Sequence, residues 1–131
     1  MYKISVNTKK KTEFVDITDK IQKLVDEQEL FNGIAIVYVP HTTAAVIINE
    51  GADPAVQCDI LTKLNDLVPS DQHYTHAEGN SDAHIKASIL GSSETVIVED
   101  NSLQIGTWQH VFLFEGDGPR NRTIFISLIS Y

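Results

Sequence analysis

Between His76 and His84 the chain places two imidazoles and two carboxylates, Glu78 and Asp82, within nine residues. Neutral imidazoles bind divalent ions, and neighbouring carboxylates orient such ligands or accept protons. The run from His76 to Gly91 reads as a polar loop entering a short helix from Asp82 to Leu90. Asn80 or Ser81 can cap it, and Asp82 in the first turn complements the helix dipole. Ile85, Ile89 and Leu90 supply an apolar face at helical spacing, and Gly91 can close the helix. His84 then lies near the positive end of the dipole, which favours the uncharged, metal-binding ring. The spacing of His76 and His84 matches neither a zinc finger nor a His-Glu-x-x-His helix. Solvated surface histidines are the plain alternative.

Other polar groups recur at turns. His41 sits at a kink between two apolar runs, in Pro40-His-Thr-Thr43. Arg120 and Arg122, the only arginines, share one glycine-containing loop. Paired guanidinium groups there suit a phosphate or carboxylate, and a solvated hairpin tip is the competing reading. His110 reads as a strand residue packed among aromatics, His73 as exposed loop, and Cys58 as an inert thiol without a basic neighbour. No Gly-x-Ser-x-Gly, phosphate loop or adjacent Cys-His pair appears.

The elements that must position these groups are legible from periodicity. Tyr2, Ile4 and Val6 alternate with polar residues, and Glu13 to Ile17 follows a lysine turn, which suggests a hairpin. Thr18 can cap a helix whose face is Ile17, Ile21, Leu24 and Val25, ended by Asn32-Gly33. Ile34 to Val39 is apolar throughout and reads as a central strand covered on both faces. Ala44 to Ile48 resumes a strand. Asp53-Pro54 starts a second helix, stopped by Pro69. Thr95–Val98, Trp108–Glu115 and Arg122–Ser130 are further strands, with Asp100-Asn101 a turn. About seven strands and three helices imply one α+β domain over residues 1–131.

Composition narrows the function classes. A chain of 131 residues with 42% hydrophobic and 21% charged content can bury a core unaided. A net charge of −8 argues against nonspecific nucleic-acid binding, which needs a basic stripe. No run approaches the roughly 20 apolar residues of a membrane helix. One cysteine and no signal-like start fit a soluble, cytoplasmic protein.

Taken together, Pro40-His-Thr-Thr-Ala44, Ile48-Asn-Glu-Gly51, Asp53-Pro54, His76 with Glu78-Gly-Asn80, Ala83-His-Ile-Lys-Ala-Ser88, Gly91, Gly106-Thr-Trp-Gln109 and Asp117-Gly-Pro-Arg120 with Arg122 resemble the YjbQ-like family. Its members are described as secondary thiamine-phosphate synthase enzymes. The resemblance spans nearly the whole chain; only His110 departs from it, where relatives commonly carry glycine. It implies a β-sandwich-like core, a homotrimer and pockets near subunit interfaces. It implies His41, His76 and His84 as ligands of a divalent metal such as zinc, with an open fourth position. Glu50 and Glu78 become candidate catalytic carboxylates. Thr42, Thr43, Asn80, Gln109, Arg120 and Arg122 become candidate contacts to a small phosphorylated metabolite. The implied reaction joins a pyrimidine diphosphate to a thiazole phosphate with loss of pyrophosphate. A metal-dependent hydrolase at the same histidines, a non-catalytic trimeric metal- or metabolite-binding protein, and histidines that merely bridge an interface are the other expectations.

Overall fold

The computed structural model describes residues 1–131. Eight strands and three helices alternate along the chain: β1 Tyr2–Asn7, β2 Glu13–Asp16, α1 Thr18–Glu27, β3 Gly33–Tyr38, β4 Ala44–Glu50, α2 Pro54–Leu67, α3 Ser81–Leu90, β5 Ser93–Glu99, β6 Ser102–Leu103, β7 Gln109–Glu115 and β8 Asn121–Ser130. They form an antiparallel sheet in the order β1-β8-β3-β5-β6 and a second, β2-β7-β4. The α+β expectation holds, with one strand more than the periodicity shows. Two residues of β6 are too short to carry a pattern; the β5–β6 turn is made by Asp100 and Asn101, both at positive φ.

Side-chain alternation builds the layers. Val111 and Leu113 of β7 and Ala44 and Val46 of β4 face the large sheet's Val6, Ala35, Val37, Val96, Val98, Ile124 and Ile126. Ile21 and Val25 of α1 join this core. The opposite face of the small sheet, Ala45 and Phe114, packs on Leu64 of α2 and Ala87 of α3. The order is therefore sheet, sheet, helices. In this arrangement the doubly covered strand is β7, whose residues from Val111 to Glu115 are all buried. β3 is central, as expected, but only its Gly33, Ala35 and Val37 face is buried; Tyr38 is exposed. Its apolar run therefore leaves one face of the large sheet partly bare.

Two hairpin expectations are corrected. β1 and β2 lie in different sheets, and so do β7 and β8. Each linker instead carries the chain across the sandwich, as does residues 39–43 between β3 and β4. In the first crossing, the Glu13 carboxylate accepts from the Lys9 and Lys10 amides at 2.6 and 3.0 Å. The register pairs Asn7 with Asn121 and Glu115 with both Glu13 and Ala44, so all three crossings gather at one end.

The helices also depart in detail. Asp53 caps α2 as expected, accepting from the Ala55 amide at 3.0 Å. Thr18 is not a cap; it is the first helical residue, and Asp16 accepts from its amide and hydroxyl at 3.0 and 2.7 Å. α1 stops at Glu27, before Asn32-Gly33. In α3 the faces are inverted: Asp82, Ala83, Lys86 and Ala87 are buried, while Ile85 and Ile89 are exposed. An aspartate and a lysine four residues apart share one helix face with opposite charge, which offsets part of the cost of their burial.

Candidate functional site

The crossing end of the sandwich is organised by an ion pair. Glu115 continues the inward face of β7, and Arg122 the inward face of β8. Both side chains are out of solvent, so each must be fully partnered. Arg122 donates through Nε to Glu115 Oε1 at 2.9 Å and through Nη2 to Oε2. Nη2 also reaches the Thr43 hydroxyl at 2.8 Å. Thr8 Oγ1 and the Asp117 amide complete the Glu115 carboxylate at 2.7 and 3.0 Å. One charged cluster thereby ties the three crossings together. Burial alone would raise the Glu115 pKa, but the bonds from Arg122, Thr8 and Asp117 hold it below its ordinary value.

His41 lies on this cluster. Its Nε2 stands 3.0 Å from the amide nitrogen and 3.1 Å from the carbonyl oxygen of Thr123. Desolvation and the positive charge of Arg122 lower its pKa, against the opposing pull of the Thr123 bond and Glu115. Nε2 faces both backbone groups of Thr123, so the tautomer decides whether it accepts or donates there, while Nδ1 has no partner in the chain. His41, Thr42, Ala44, His84, Ala87, Ser88, Gly91 and Ser92 enclose a cleft of about 340 Å³.

His84 lines a second hollow as well. Tyr74, Thr75, His76, Ser81 and Ile85 join it around about 370 Å³ at the N-terminal end of α3. The His76 and His84 rings stand edge to face with centroids 5.4 Å apart. Glu78 is 3.6 Å from His76 Nε2, in solvent. His84 therefore joins two hollows at opposite ends of one helix. The first-turn amides favour an anion in one, and the carbonyls of the last turn favour a donor or cation in the other.

Other candidates fall elsewhere. Arg122 and Thr43 are buried in the cluster and offer nothing to a ligand directly. The expected guanidinium pair is thus split: Arg120 alone is exposed, bound to Asp117 through its backbone carbonyl and carboxylate, both at 2.9 Å. Asn80 does not cap α3 with its side chain. It donates to Asp117 Oδ2 at 2.9 Å and pins the 116–120 crossing beside the helix. Glu50 and Gln109 pair at the far end of β4, about 20 Å from Ala44 by strand rise. Glu50 accepts the Ala52 amide there, and Gln109 accepts the Gly106 amide. Ser92 and Thr75 lie in the hollows but carry no motif; only the fold reveals them.

A three-histidine metal centre does not assemble from this chain alone, because no three His, Cys, Asp or Glu side chains converge. His76 and His84 are neighbours, whereas His41 lines only the other hollow.

A two-sheet antiparallel sandwich with a helical outer layer and a histidine-lined cleft at its crossing end defines the class. The chain belongs to the UPF0047 protein YjbQ-like family, whose model matches residues 2–131. It is 47% identical over 129 residues to UPF0047 protein MJ1081 of Methanocaldococcus jannaschii, covering 98% of this chain and 94% of that protein. UPF0047 protein YugU of Bacillus subtilis is 41% identical over 127 residues, with 96% of each covered. A crystal structure of an uncharacterised YjbQ/UPF0047 protein from Clostridium acetobutylicum superposes with a TM-score of 0.96 at 46% identity, covering 98% of this chain and all of that one. A Sulfolobus solfataricus relative of unknown function gives 0.95 at 35% identity, covering 99% and 96%.

Proposed function

We propose that the protein is an enzyme acting on a small phosphorylated metabolite in the two hollows that meet at His84. The observation that carries this reading is the pairing of His41, its pKa held low by burial and Arg122, with His84 across one cleft, while the same His84 borders an anion-favouring helix start. The finer reading is the secondary thiamine-phosphate synthase reaction. The pyrimidine's diphosphate would sit by Thr75, Ser81 and the α3 amides, and the thiazole ring, which becomes cationic as its nitrogen is alkylated, would lie towards His41 and Thr42. His41 would contact the substrate through Nδ1, the ring nitrogen without a partner in the chain. Arg122, one layer below, keeps that imidazole uncharged and in place. Ser88 donates to the His84 carbonyl at 2.9 Å, so it shapes the wall and is no activated nucleophile. A divalent cation, zinc in the expectation above, would be held by His76 and His84 and would neutralise the leaving pyrophosphate. Glu78 is placed to orient His76.

The working form in this reading is a cytoplasmic homotrimer. Tyr38, Ile97 and Ile129 on the bare face of the large sheet, with Ile85 and Ile89 beside the second hollow, are the apolar surface that supports it. No helix is long and apolar enough to cross a membrane.

The test mixes purified protein with the pyrimidine diphosphate and the thiazole phosphate, with and without added zinc, and measures thiamine phosphate and pyrophosphate. Both products should form in equal amounts and fall to background in His41→Ala and His84→Ala. Absence of product from wild type would remove the synthase reading. Phosphate release from either substrate alone, dependent on zinc, would favour hydrolysis.

A further inference from the structure

The buried face of α3 opens on a hollow that the site above does not use. Lys11, Asn65, Pro69, Asp71, Asp82 and Lys86 help line about 380 Å³, and all of these but Pro69 are polar. Asp82 and Lys86 are 1% and 2% exposed. Lys86 Nζ donates to Asn65 Oδ1 at 2.7 Å and lies 3.5 Å from Asp82 Oδ2, leaving one of its three protons without a partner. Asp82 Oδ1 is buried with no partner at all. A buried carboxylate oxygen without a donor is costly, so it marks a place where a donor binds.

From these groups we infer that this hollow binds a small zwitterion of the α-amino-acid class. It needs a donor for Asp82 Oδ1 and, a few ångströms away, an acceptor for Lys86. The helix ends hold the protein's own charges in place: Lys86 bonds Asn65 in the last turn of α2, and Asp82 lies in the first turn of α3. Two lysines and two aspartates balance, so the hollow matches a ligand that is charged at both ends and neutral overall. A metal ion is disfavoured because Lys11 and Lys86 both line the hollow. The volume lies at the lower end of small-molecule pockets, about 300–1,000 Å³.

The experiment titrates the full chain with each of the common α-amino acids in turn, read by calorimetry and by NMR shifts of the Asp71, Asp82 and Lys86 amides. At least one should bind and shift those amides. Its N-acetyl and its methyl-ester derivatives should each bind about tenfold more weakly, for loss of one charge-assisted contact. Lys86→Met should abolish binding. Should that variant not fold, the exposed pair Lys11→Gln and Asp71→Asn leaves the buried groups intact and should weaken binding. No binding by any amino acid would overturn the inference, as would equal binding of the blocked derivatives or shifts confined to the His41–His84 cleft.

Discussion

Replacing Arg122 with methionine isolates what the cluster at the crossing end contributes. The substitution keeps the length of the buried stem but removes two charged bonds to Glu115 and the donor to Thr43. Glu115 is fully buried and keeps only Thr8 Oγ1 and the Asp117 amide. An uncompensated buried charge of this kind costs about 3–5 kcal/mol. A domain of this size has about 5–15 kcal/mol in total, so the melting temperature should fall by about 10–20 °C. The loss should shrink in acid. Wild-type Glu115 holds its pKa below the usual value, so it contributes stability above that value, and this is lost as pH falls through the folded pKa. In Arg122→Met the carboxyl protonates earlier and is buried neutral. The double variant Arg122→Met with Glu115→Leu should recover most of the loss at neutral pH. Urea unfolding of wild type, single and double variants at neutral and acidic pH measures all of this. A single variant that loses less than about 1 kcal/mol, the range of an exposed pair, would refute the argument. So would a double variant no more stable than the single one.

Further outcomes follow from the same geometry. The folded His41 pKa lies below the unfolded value of 6.5, so the unfolded chain binds more protons in between. Stability should therefore fall as pH drops through that window, and His41→Gln should flatten this part of the curve. Imidazole NMR on Arg122→Met should show the His41 pKa rising once the guanidinium charge is gone. A methyl at Gly33 would lie 1.9 Å from the Ile129 carbonyl oxygen, so Gly33→Ala should cost about 1–3 kcal/mol or more and loosen β3 from β8, visible as faster amide exchange there. Asp16 has its pKa lowered: burial would raise it, but bonds from His110, at 2.5 Å, and Thr18 prevail. Its contribution is present above pH 3.8 and lost as pH falls through the folded value, so Asp16→Asn should lose stability at pH 7 and progressively less as the pH drops below 3.8.

Short-range features were legible in the sequence. Asp53-Pro54 marks the start of α2 because cap and first-turn proline act locally. Asp100-Asn101 marks a turn for the same reason. What failed depends on distant partners. The β1–β2 and β7–β8 linkers look like hairpins until the opposite sheet is present to receive the second strand. Ile34 to Val39 is apolar throughout, yet one face awaits a cover this chain does not supply. Arg122 looked exposed because its partner Glu115 is seven residues earlier and in another sheet. The inversion of α3 has the same origin: Lys86 is buried beside Asp82 where Asn65 of α2 accepts from it. At the candidate site, His76 and His84 could be paired from their loop and helix, whereas His41 reaches His84 only by way of the crossings.

The most direct measurement is an NMR titration of the pyrimidine diphosphate into the protein, following backbone amides and imidazoles. Binding in the two hollows predicts shifts at Thr75, His76, Ser81 and His84, extending to His41 and Thr42, and abolished in His84→Ala. Shifts confined to other surfaces, or none at concentrations where a metabolite would bind, would contradict the assignment of this cleft.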